Sequence, residues 1–230
     1  MLRSVKKLNT FQLSAVDGNI GRCEDLLFDD RPWIVRYVVA DTGTWLAGRK
    51  VLILPAFLGK VDGAAGLVSV ELLKNKLEKA PGLDRDAPVS RQYEIAYHTF
   101  FGIPYYRDDP AGGEKINEPA TVIAGQPAAV NISSRSAEAH LRSADEVIGH
   151  SIRATDGELG QVEDFILDDE TWYIQYLVVA TGSLVSSKKF LVTPALLGIV
   201  DWEQGTVNVH MTGEQLRKCP EYDSPVSLNS

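Results

Sequence analysis

Two sets of acidic residues have the types and spacing that could carry chemistry. Glu24-Asp25 and Asp29-Asp30 in the first half of the chain recur as Glu163-Asp164 and Asp168-Asp169 in the second half. Paired carboxylates can act as a general acid and base, or they can bind Mg²⁺ or Ca²⁺ through their oxygens. The pattern therefore raises two hypotheses, a small enzyme and a cation-binding regulator.

The same acidic residues have structural interpretations, which we favour. Asp29-Asp30 and Asp168-Asp169 lie where hairpin turns are predicted, and aspartate is common in turns because its side chain accepts hydrogen bonds from nearby backbone. Glu24 and Asp25 are adjacent on a predicted strand, so their side chains point to opposite faces, and one is expected to pair with an arginine such as Arg36. A third ligand at a suitable spacing is missing from the sequence. We therefore predict no metal and no cofactor.

The four histidines and two cysteines give no further catalytic signal. Each stands at a position without a residue of the same type in the other half, and none has a spacing typical of zinc ligands. The sequence also lacks the Gly-x-Ser-x-Gly motif of a nucleophilic serine. We predict that the protein is not an enzyme and that the unpaired thiols indicate a reducing compartment. The residues are His98, His140, His150, His210, Cys23 and Cys219.

An internal repeat positions the acidic residues. Residues 15–84 align without a gap with residues 154–223, and about 28 of some 70 aligned positions are identical. The offset is far longer than the roughly 20–50 residues of a solenoid unit, so one small domain occurs twice. Each copy is small enough that the two could depend on each other or on a second chain.

Each copy is predicted to consist of short strands separated by turns, with a short helix at its carboxyl end. The Asp-Gly turns, the β-branched and aromatic runs and the roughly ten-residue spacing favour a mainly β fold of two small barrels. The predicted elements of the first copy are strands at 13–16, 21–28, 33–40, 50–54 and 66–70, and a helix at 72–80.

An aromatic segment without a counterpart in the second copy follows the first copy. Its first aromatic residues fall at helical spacing, so one face of the predicted helix is broad and aromatic. One hypothesis is that this face packs the two copies together, and the other is that it anchors a partner or a second subunit. The interaction candidates are Arg91, Tyr93, Tyr97, Phe100, Phe101, Tyr105, Tyr106 and Arg107.

The rest of the connection between the copies has a different composition. Asp108 to Ser134 is rich in Ala, Gly, Pro and Asn and is predicted to be a flexible linker. Ser136 to Ile148 is predicted to be a helical segment that leads into the second copy.

Aromatic residues also mark the predicted core of each copy. Trp33 and Tyr37 occupy the same strand positions as Trp172 and Tyr176. Residues four apart on a strand share a face, so we expect each pair to pack into its own core.

The overall composition is that of an ordinary globular protein. The net charge of −8 disfavours direct binding of nucleic acid, which needs a basic surface. The amino-terminal residues lack the apolar stretch of a signal peptide, and the longest apolar run, 51–59, is too short to cross a membrane. A cytoplasmic location is the expectation.

The order of motifs in both copies resembles the PRC-barrel domain, which occurs in the photosynthetic reaction-centre H subunit and in a ribosome-maturation factor. Each copy has Asp-Gly-x-x-Gly, then Glu-Asp-x-x-x-Asp-Asp, Trp-x-x-x-Tyr and Lys-x-Leu-x-x-Pro. More narrowly, the chain resembles bacterial tandem PRC-barrel proteins, also at Val89-Ser90-Arg91-Gln92 and His140-Leu141-Arg142-Ser143. The resemblance implies PRC-type barrels at 1–90 and 136–230, joined by the aromatic segment and Ala/Gly/Pro linker at 91–135.

One loop departs from the resemblance. Tandem members commonly have an aromatic, glycine-containing turn before the two lysines of the second copy. Here that stretch is Leu184-Val185-Ser186-Ser187, whereas the first copy has Trp45-Leu46-Ala47-Gly48. If this loop contacts a partner, the two copies need not bind alike.

The resemblance implies small β-barrels that act by making contacts. We therefore expect a non-enzymatic interaction or scaffold module that self-associates, with an unidentified protein partner. Peripheral association with a membrane complex is compatible with the wider family, although no basic amphipathic segment requires it. The alternatives are the cation-binding regulator or small enzyme, a ribosome-assembly helper, and an accessory protein of a photosynthetic or membrane complex.

Overall fold

The computed structural model describes residues 1–84, 88–105, 141–183 and 186–223. The protein is mainly β, as predicted, with few helices. It divides into two compact units, residues 1–86 together with 140–230, and residues 87–139. Both copies of the repeat therefore lie in the same unit.

The first copy contributes eight strands and two short helices to the described residues. They are β1 (Leu2–Ser4), α1 (Val5–Leu8), β2 (Gln12–Ala15), β3 (Gly18–Asp29), β4 (Ile34–Asp41), β5 (Arg49–Ile53), β6 (Leu58–Asp62), β7 (Leu67–Val70), α2 (Lys74–Lys79) and β8 (Leu83–Asp84). A 3₁₀ turn at Pro55–Phe57 precedes β6.

The second unit and the second copy contribute the remaining elements. They are α3 (Arg91–Phe101), β9 (Leu141–Ser143), α4 (Ala144–Val147), β10 (Ser151–Ala154), β11 (Gly157–Asp168), β12 (Ile174–Ser183), β13 (Ser186–Val192), β14 (Leu197–Asp201), β15 (Thr206–Val209) and α5 (Gly213–Leu216). A 3₁₀ turn at Pro194–Leu196 precedes β14.

Each copy forms its own antiparallel-rich sheet with the same strand order. The first sheet runs β6-β7-β2-β3-β4-β5-β8, and the second runs β13-β12-β11-β10-β15-β14. The alternating and β-branched strands predicted from sequence are present, and β6 and β14 were not predicted. The 3₁₀ turns place a proline just before each of these two strands, which obscures their start in the sequence.

A reciprocal strand exchange joins the two sheets. β1, at the start of the first copy, pairs antiparallel with β11 of the second copy. β9, just before the second copy, pairs antiparallel with β3 of the first copy. Each sheet therefore contains one strand from the other half, and we call these two pairings the strand exchange.

β9 corrects the prediction of a helical lead-in. Residues 141–143 are a strand, and helix begins only at Ala144. Ser143 is the cap of α4, accepting a hydrogen bond from the backbone N–H of Glu146. Residues 136–140 and the predicted linker 108–134 lie outside the described residues.

The two Trp-containing turns also meet. The backbone N–H of Val35 donates to the carbonyl of Trp172 at 2.9 Å, and that of Ile174 donates to the carbonyl of Trp33 at 2.7 Å. Both tryptophans have left-handed backbones, with φ of 55° and 60°. These hydrogen bonds are reciprocal between the two copies, as the strand exchange is.

The aromatic residues assigned to the core are buried to different degrees. Trp33, Tyr37 and Trp172 are buried, and Tyr176 is partly buried against Ile166 and its neighbours. The shared-face argument does not apply to either Trp–Tyr pair, because β4 begins one residue after Trp33 and β12 begins two residues after Trp172. Strand alternation does not extend into a residue with a left-handed backbone.

The second glycine of each Asp-Gly-x-x-Gly motif is required by a close backbone approach. A Cβ at Gly21 would lie 1.9 Å from the carbonyl oxygen of Asp41, and one at Gly160 would lie 1.9 Å from that of Ala180. The glycines therefore let the long hairpin strands of each copy pair closely beside the bulge that follows.

Candidate functional site

Asp164 receives its hydrogen bonds from the amino-terminal segment of the first copy. Its carboxylate accepts from the Ser4 hydroxyl at 2.5 Å and from the backbone N–H of Lys6 at 3.1 Å. It also accepts from the backbone N–H of Phe165 at 2.8 Å. Two of the three donors belong to Ser4 and Lys6, so Asp164 holds β1 and the start of α1 against the second copy. We call β1 with α1, and β9 with α4, the exchanged segments.

Asp25 makes the equivalent contacts in the first copy. It accepts from the Ser143 hydroxyl at 2.6 Å and from the backbone N–H of Asp145 at 3.1 Å. The backbone N–H of Leu26 adds a third hydrogen bond at 2.7 Å. The duplicated Glu-Asp motif thus supplies an anchor on each side of the strand exchange.

The second aspartate of each Asp-Asp pair binds an arginine of the exchanged strand. Arg3 Nε lies 2.7 Å from Asp169 Oδ2, and Arg142 Nε lies 3.0 Å from Asp30 Oδ2. Both aspartate side chains are only 8% exposed, so these ion pairs are shielded from solvent.

The first aspartate of each pair forms a turn, as predicted. Asp29 accepts from the backbone N–H of Arg31, and Asp168 accepts from those of Glu170 and Thr171. Arg36 Nη2 lies 3.5 Å from Asp29 Oδ2. Arg36 therefore contacts the turn residue, and Asp25 binds the Ser143 hydroxyl and the backbone N–H of Asp145.

These contacts give each repeated aspartate a structural role in the described part of the chain. Each aspartate accepts hydrogen bonds from hydroxyl, N–H or guanidinium donors, so its oxygens already have partners other than a cation. Within the part of the chain that the structure describes, no group of three or more His, Cys, Asp and Glu side chains is arranged to hold a metal ion.

Burial raises the pKa of both Asp25 and Asp164, and the hydrogen bonds from Ser143 and Ser4 oppose that shift only in part. The folded protein then binds more protons at these sites than the unfolded chain just above pH 4.

A measurable pH dependence follows from this direction. Proton binding to these two groups adds stability at acid pH, and this added part is lost as the pH rises through the raised folded-state pKa values. We expect the Asp25→Asn, Asp164→Asn double variant to have a more positive slope of unfolding free energy against pH between about 4 and 6. Urea midpoints across this range measure the slope. Identical slopes in the variant and the original protein would refute the assignment.

The histidines and cysteines lie apart and make local contacts. His98 Nδ1 is 3.0 Å from the carbonyl oxygen of Pro104, and His150 Nδ1 is 3.1 Å from that of Val147. Burial lowers the pKa of His150 and raises the pKa of the Cys23 thiol to about 12. The two thiols are unpaired. A buried thiol of this kind is unreactive, and His140 lies outside the described residues.

The aromatic segment forms the predicted helix, α3, which begins at Arg91. Ser90 caps the helix by accepting from the backbone N–H of Tyr93, and Gly102 ends it in a left-handed conformation. Tyr97 is 2% exposed, while Tyr93, Phe100, Phe101 and Tyr105 are half-buried.

Contacts within this unit bring several of the predicted interaction residues together. The Tyr97 ring centroid lies 5.7 Å from that of Tyr93 and 4.8 Å from that of Phe101. The Tyr105 hydroxyl donates to Glu94 at 3.0 Å. Tyr106 and Arg107 lie outside the described residues.

The second copy has two surface features that sequence reasoning did not identify. Ile199 on β14 is 82% exposed. In addition, a cleft of about 310 Å³ lies between α5 and the neighbouring strand ends, and its walls include Glu158, Lys188, Gly213 and Arg217. The equivalent residues of the first copy differ at all five positions, and this difference was the available signal.

Comparison with protein-family models finds a PRC-barrel domain at residues 140–216. A search of curated proteins gives no significant match. The matched residues include β9, which lies in the sheet of the first copy. The part of the chain that the structure describes contains no helix with the length and apolar character needed to cross a membrane.

Proposed function

We propose that the protein is a non-enzymatic interaction module made of two PRC-type domains, and that it self-associates. The PRC-barrel domain at residues 140–216 supports an interaction role. The first copy has the same strand order and the same β3–β4 register as the second, which supports a tandem arrangement. The structural use of Asp25 and Asp164 disfavours a catalytic role for the repeated acids.

The exposed isoleucine on β14 is the main observation that supports self-association. β14 pairs with β15 and, among the described residues, with no other strand. An edge strand offers unpaired N–H and C=O groups to a partner, although the Ile199 carbonyl already accepts from Asn208 Nδ2 at 2.6 Å. Proteins commonly place a lysine on such an edge to prevent pairing. Lys60 holds that position in β6 of the first copy, whereas β14 has Ile199, which is 82% exposed.

A second copy of the chain is the partner that we expect to pair with the edge strand β14. Two β14 strands can pair antiparallel about a two-fold axis, which would bury Ile199 and the exposed Leu196 of the preceding 3₁₀ turn. The first copy offers a lysine at the same place and is not expected to pair in this way.

Exchanging the two edge residues tests this proposal. Ile199→Lys is expected to weaken self-association about ten-fold or more, because it removes an apolar contact and places like charges opposite each other. Sedimentation and light scattering over a concentration series measure the change.

The matched control is Lys60→Ile, which makes the opposite change on the other sheet. It should leave the original association intact or add to it. An unchanged association constant in Ile199→Lys would exclude this edge, and a monomer at high concentration in the original protein would exclude self-association.

The aromatic segment is a second surface for the same role. Arg91, Tyr105 and their neighbours combine residue types that are enriched at interfaces. The Tyr105→Ser, Tyr106→Ser double variant should shift a dimer towards monomer if this segment supplies the contact, and light scattering distinguishes it from Ile199→Lys.

The cation-binding alternative has a direct test. Because the repeated aspartates are already surrounded by donors, we expect calorimetric titration with Ca²⁺ and Mg²⁺ to show no saturable heat. Saturable binding of either ion would favour the regulator or enzyme over the interaction module.

A further inference from the structure

The two strands that take part in the strand exchange have the same sequence. β1 and β9 each consist of Leu-Arg-Ser, and each pairs antiparallel with the end of the long hairpin strand in the other copy. Ser4 lies opposite Ile166, and Ser143 lies opposite Leu27, which is the same register in both copies. The receiving strands β3 and β11 therefore bind the same short sequence in the same way.

The two copies also share a buried core. Phe28 of the first copy and Phe165 of the second copy are fully buried, and their ring centroids are 5.6 Å apart. In the exchanged segment of the first copy, α1 buries Val5 and Leu8. A copy separated from its counterpart would expose apolar side chains of this kind to water, at a cost that grows with their area. Each copy is therefore incomplete without the other.

The contacts between the copies are the same whichever chain supplies each copy. They join residues 1–84 to residues 141–223, and the chain links these two ranges only through residues 85–140. The first copy of one chain can therefore make the same hydrogen bonds, ion pairs and core contacts with the second copy of another chain. Trading an identical element between chains is a low-cost route to a dimer, because it needs no new interface.

We propose that the strand exchange is also a docking surface for a second copy of this chain. In the resulting swapped pair, the first copy of each chain binds the second copy of the other chain. Since the contacts equal those within one chain, the protein concentration during folding decides which form accumulates. This pairing does not use β14, so it goes beyond the edge pairing proposed above and does not depend on it.

Reversing one ion pair across two chains tests the swapped pair. One variant carries Arg3→Asp and the other carries Asp169→Arg, and both carry Ile199→Lys to remove the edge pairing. Within either variant alone, two like charges meet at a site where the aspartate side chain of the original protein is only 8% exposed. In a mixed swapped pair, one site combines the two introduced charges and the other combines the two original charges. Both ion pairs are then restored.

The two variants are unfolded in urea, mixed, refolded together and examined by native mass spectrometry, with one variant labelled with ¹⁵N. We expect at least about ten-fold more mixed pairs than pairs of either variant with itself, because a shielded pair of like charges is strongly unfavourable. The matched control carries Arg3→Asp and Asp169→Arg in the same chain. It restores the ion pair without a second chain and should form no more pairs than the Ile199→Lys protein does.

A second experiment leaves the strand exchange unaltered, in case the charge variants do not fold. Labelled and unlabelled Ile199→Lys protein is refolded together at about 1 mM, the order of the effective concentration of linked modules. Mixed pairs are expected, and they should persist after dilution, because their separation requires the shared core to open. Absence of mixed pairs from both experiments would overturn the proposal. Mixed pairs that form equally well when the folded proteins are combined would also overturn it, since they would be surface contacts.

The outcome is separate from that of the proposed edge pairing. Folded protein that is monomeric at high concentration, but gives mixed pairs after refolding, would exclude the β14 interface and support the swapped pair. Folded protein that associates through Ile199, but gives no mixed pairs after refolding, would do the reverse.

Discussion

Replacing Asp164 with alanine is expected to lower the free energy of unfolding by about 3–5 kcal/mol. The substitution removes the acceptor for the Ser4 hydroxyl and for the backbone N–H groups of Lys6 and Phe165. Buried donors without acceptors are costly, and hydrogen bonds to a charged group are among the stronger ones. Urea denaturation followed by circular dichroism measures the loss.

Ser4 makes the effect larger than one side chain suggests. Its hydroxyl also caps α1 by accepting from the backbone N–H of Lys7, and α1 buries Val5 and Leu8. Loss of Asp164 therefore loosens a segment that packs into the core. Hydrogen exchange should show faster opening of β1 and α1 than of the central strands.

Glu163→Ala is the matched control for this prediction. Glu163 is adjacent and forms ion pairs with Lys6 and Lys189, but its side chain is more exposed, so its removal should cost less than about 1 kcal/mol. An Asp164→Ala variant no less stable than Glu163→Ala would show that the carboxylate does not anchor the exchanged segment. Asp25→Ala should behave like Asp164→Ala, since its contacts are equivalent.

The sequence predicted the strands well because they are long and follow the periodicity of a half-buried sheet. β3, β4, β11 and β12 combine Asp-Gly turns with β-branched and aromatic residues, and these signals are local. The Asp turns were predictable for the same reason, because an aspartate in a turn bonds to backbone only a few residues away.

The strand exchange was not predicted because it depends on contacts between distant parts of the chain. β1 and β9 have three residues each, which is too short for a periodic pattern, and their partners lie in the other half. One signal was present in the sequence. Leu2-Arg3-Ser4 is identical to Leu141-Arg142-Ser143 at the offset of the repeat, so the repeat extends further towards the amino terminus than residue 15.

A comparison of the two copies separates structural from surface positions. The residues that make the strand exchange are the same in both copies: Arg3 and Arg142, Ser4 and Ser143, Asp25 and Asp164, and Asp30 and Asp169. The surface positions differ between the copies. Lys60 is aligned with Ile199, and Glu78 is aligned with Arg217. The exchange requires matched residues on both sides, whereas an exposed surface does not. The differing positions are therefore where the second copy can have its own partners.

Replacing Trp172 with alanine is the second large effect that we expect, at about 3–5 kcal/mol of unfolding free energy. Its side chain is 6% exposed, and its carbonyl accepts the hydrogen bond from Val35 that joins the two turns. Truncating a buried aromatic side chain leaves a cavity. An unchanged denaturant midpoint would show that Trp172 is a surface contact instead.

The left-handed backbone of Trp172 gives this prediction a sharper form. Its φ of 60° is strained for every residue except glycine, by about 1–2 kcal/mol. Trp172→Gly should therefore be no less stable than Trp172→Ala, even though glycine removes one more carbon. Tyr176 lies within β12, where glycine is instead about 0.5–1 kcal/mol worse than alanine. The Ala-to-Gly difference should thus change sign between positions 172 and 176 in the same urea experiment. The same sign at both positions would mean that the turn relaxes when the tryptophan is lost, so that packing rather than backbone geometry fixes the contact between the copies.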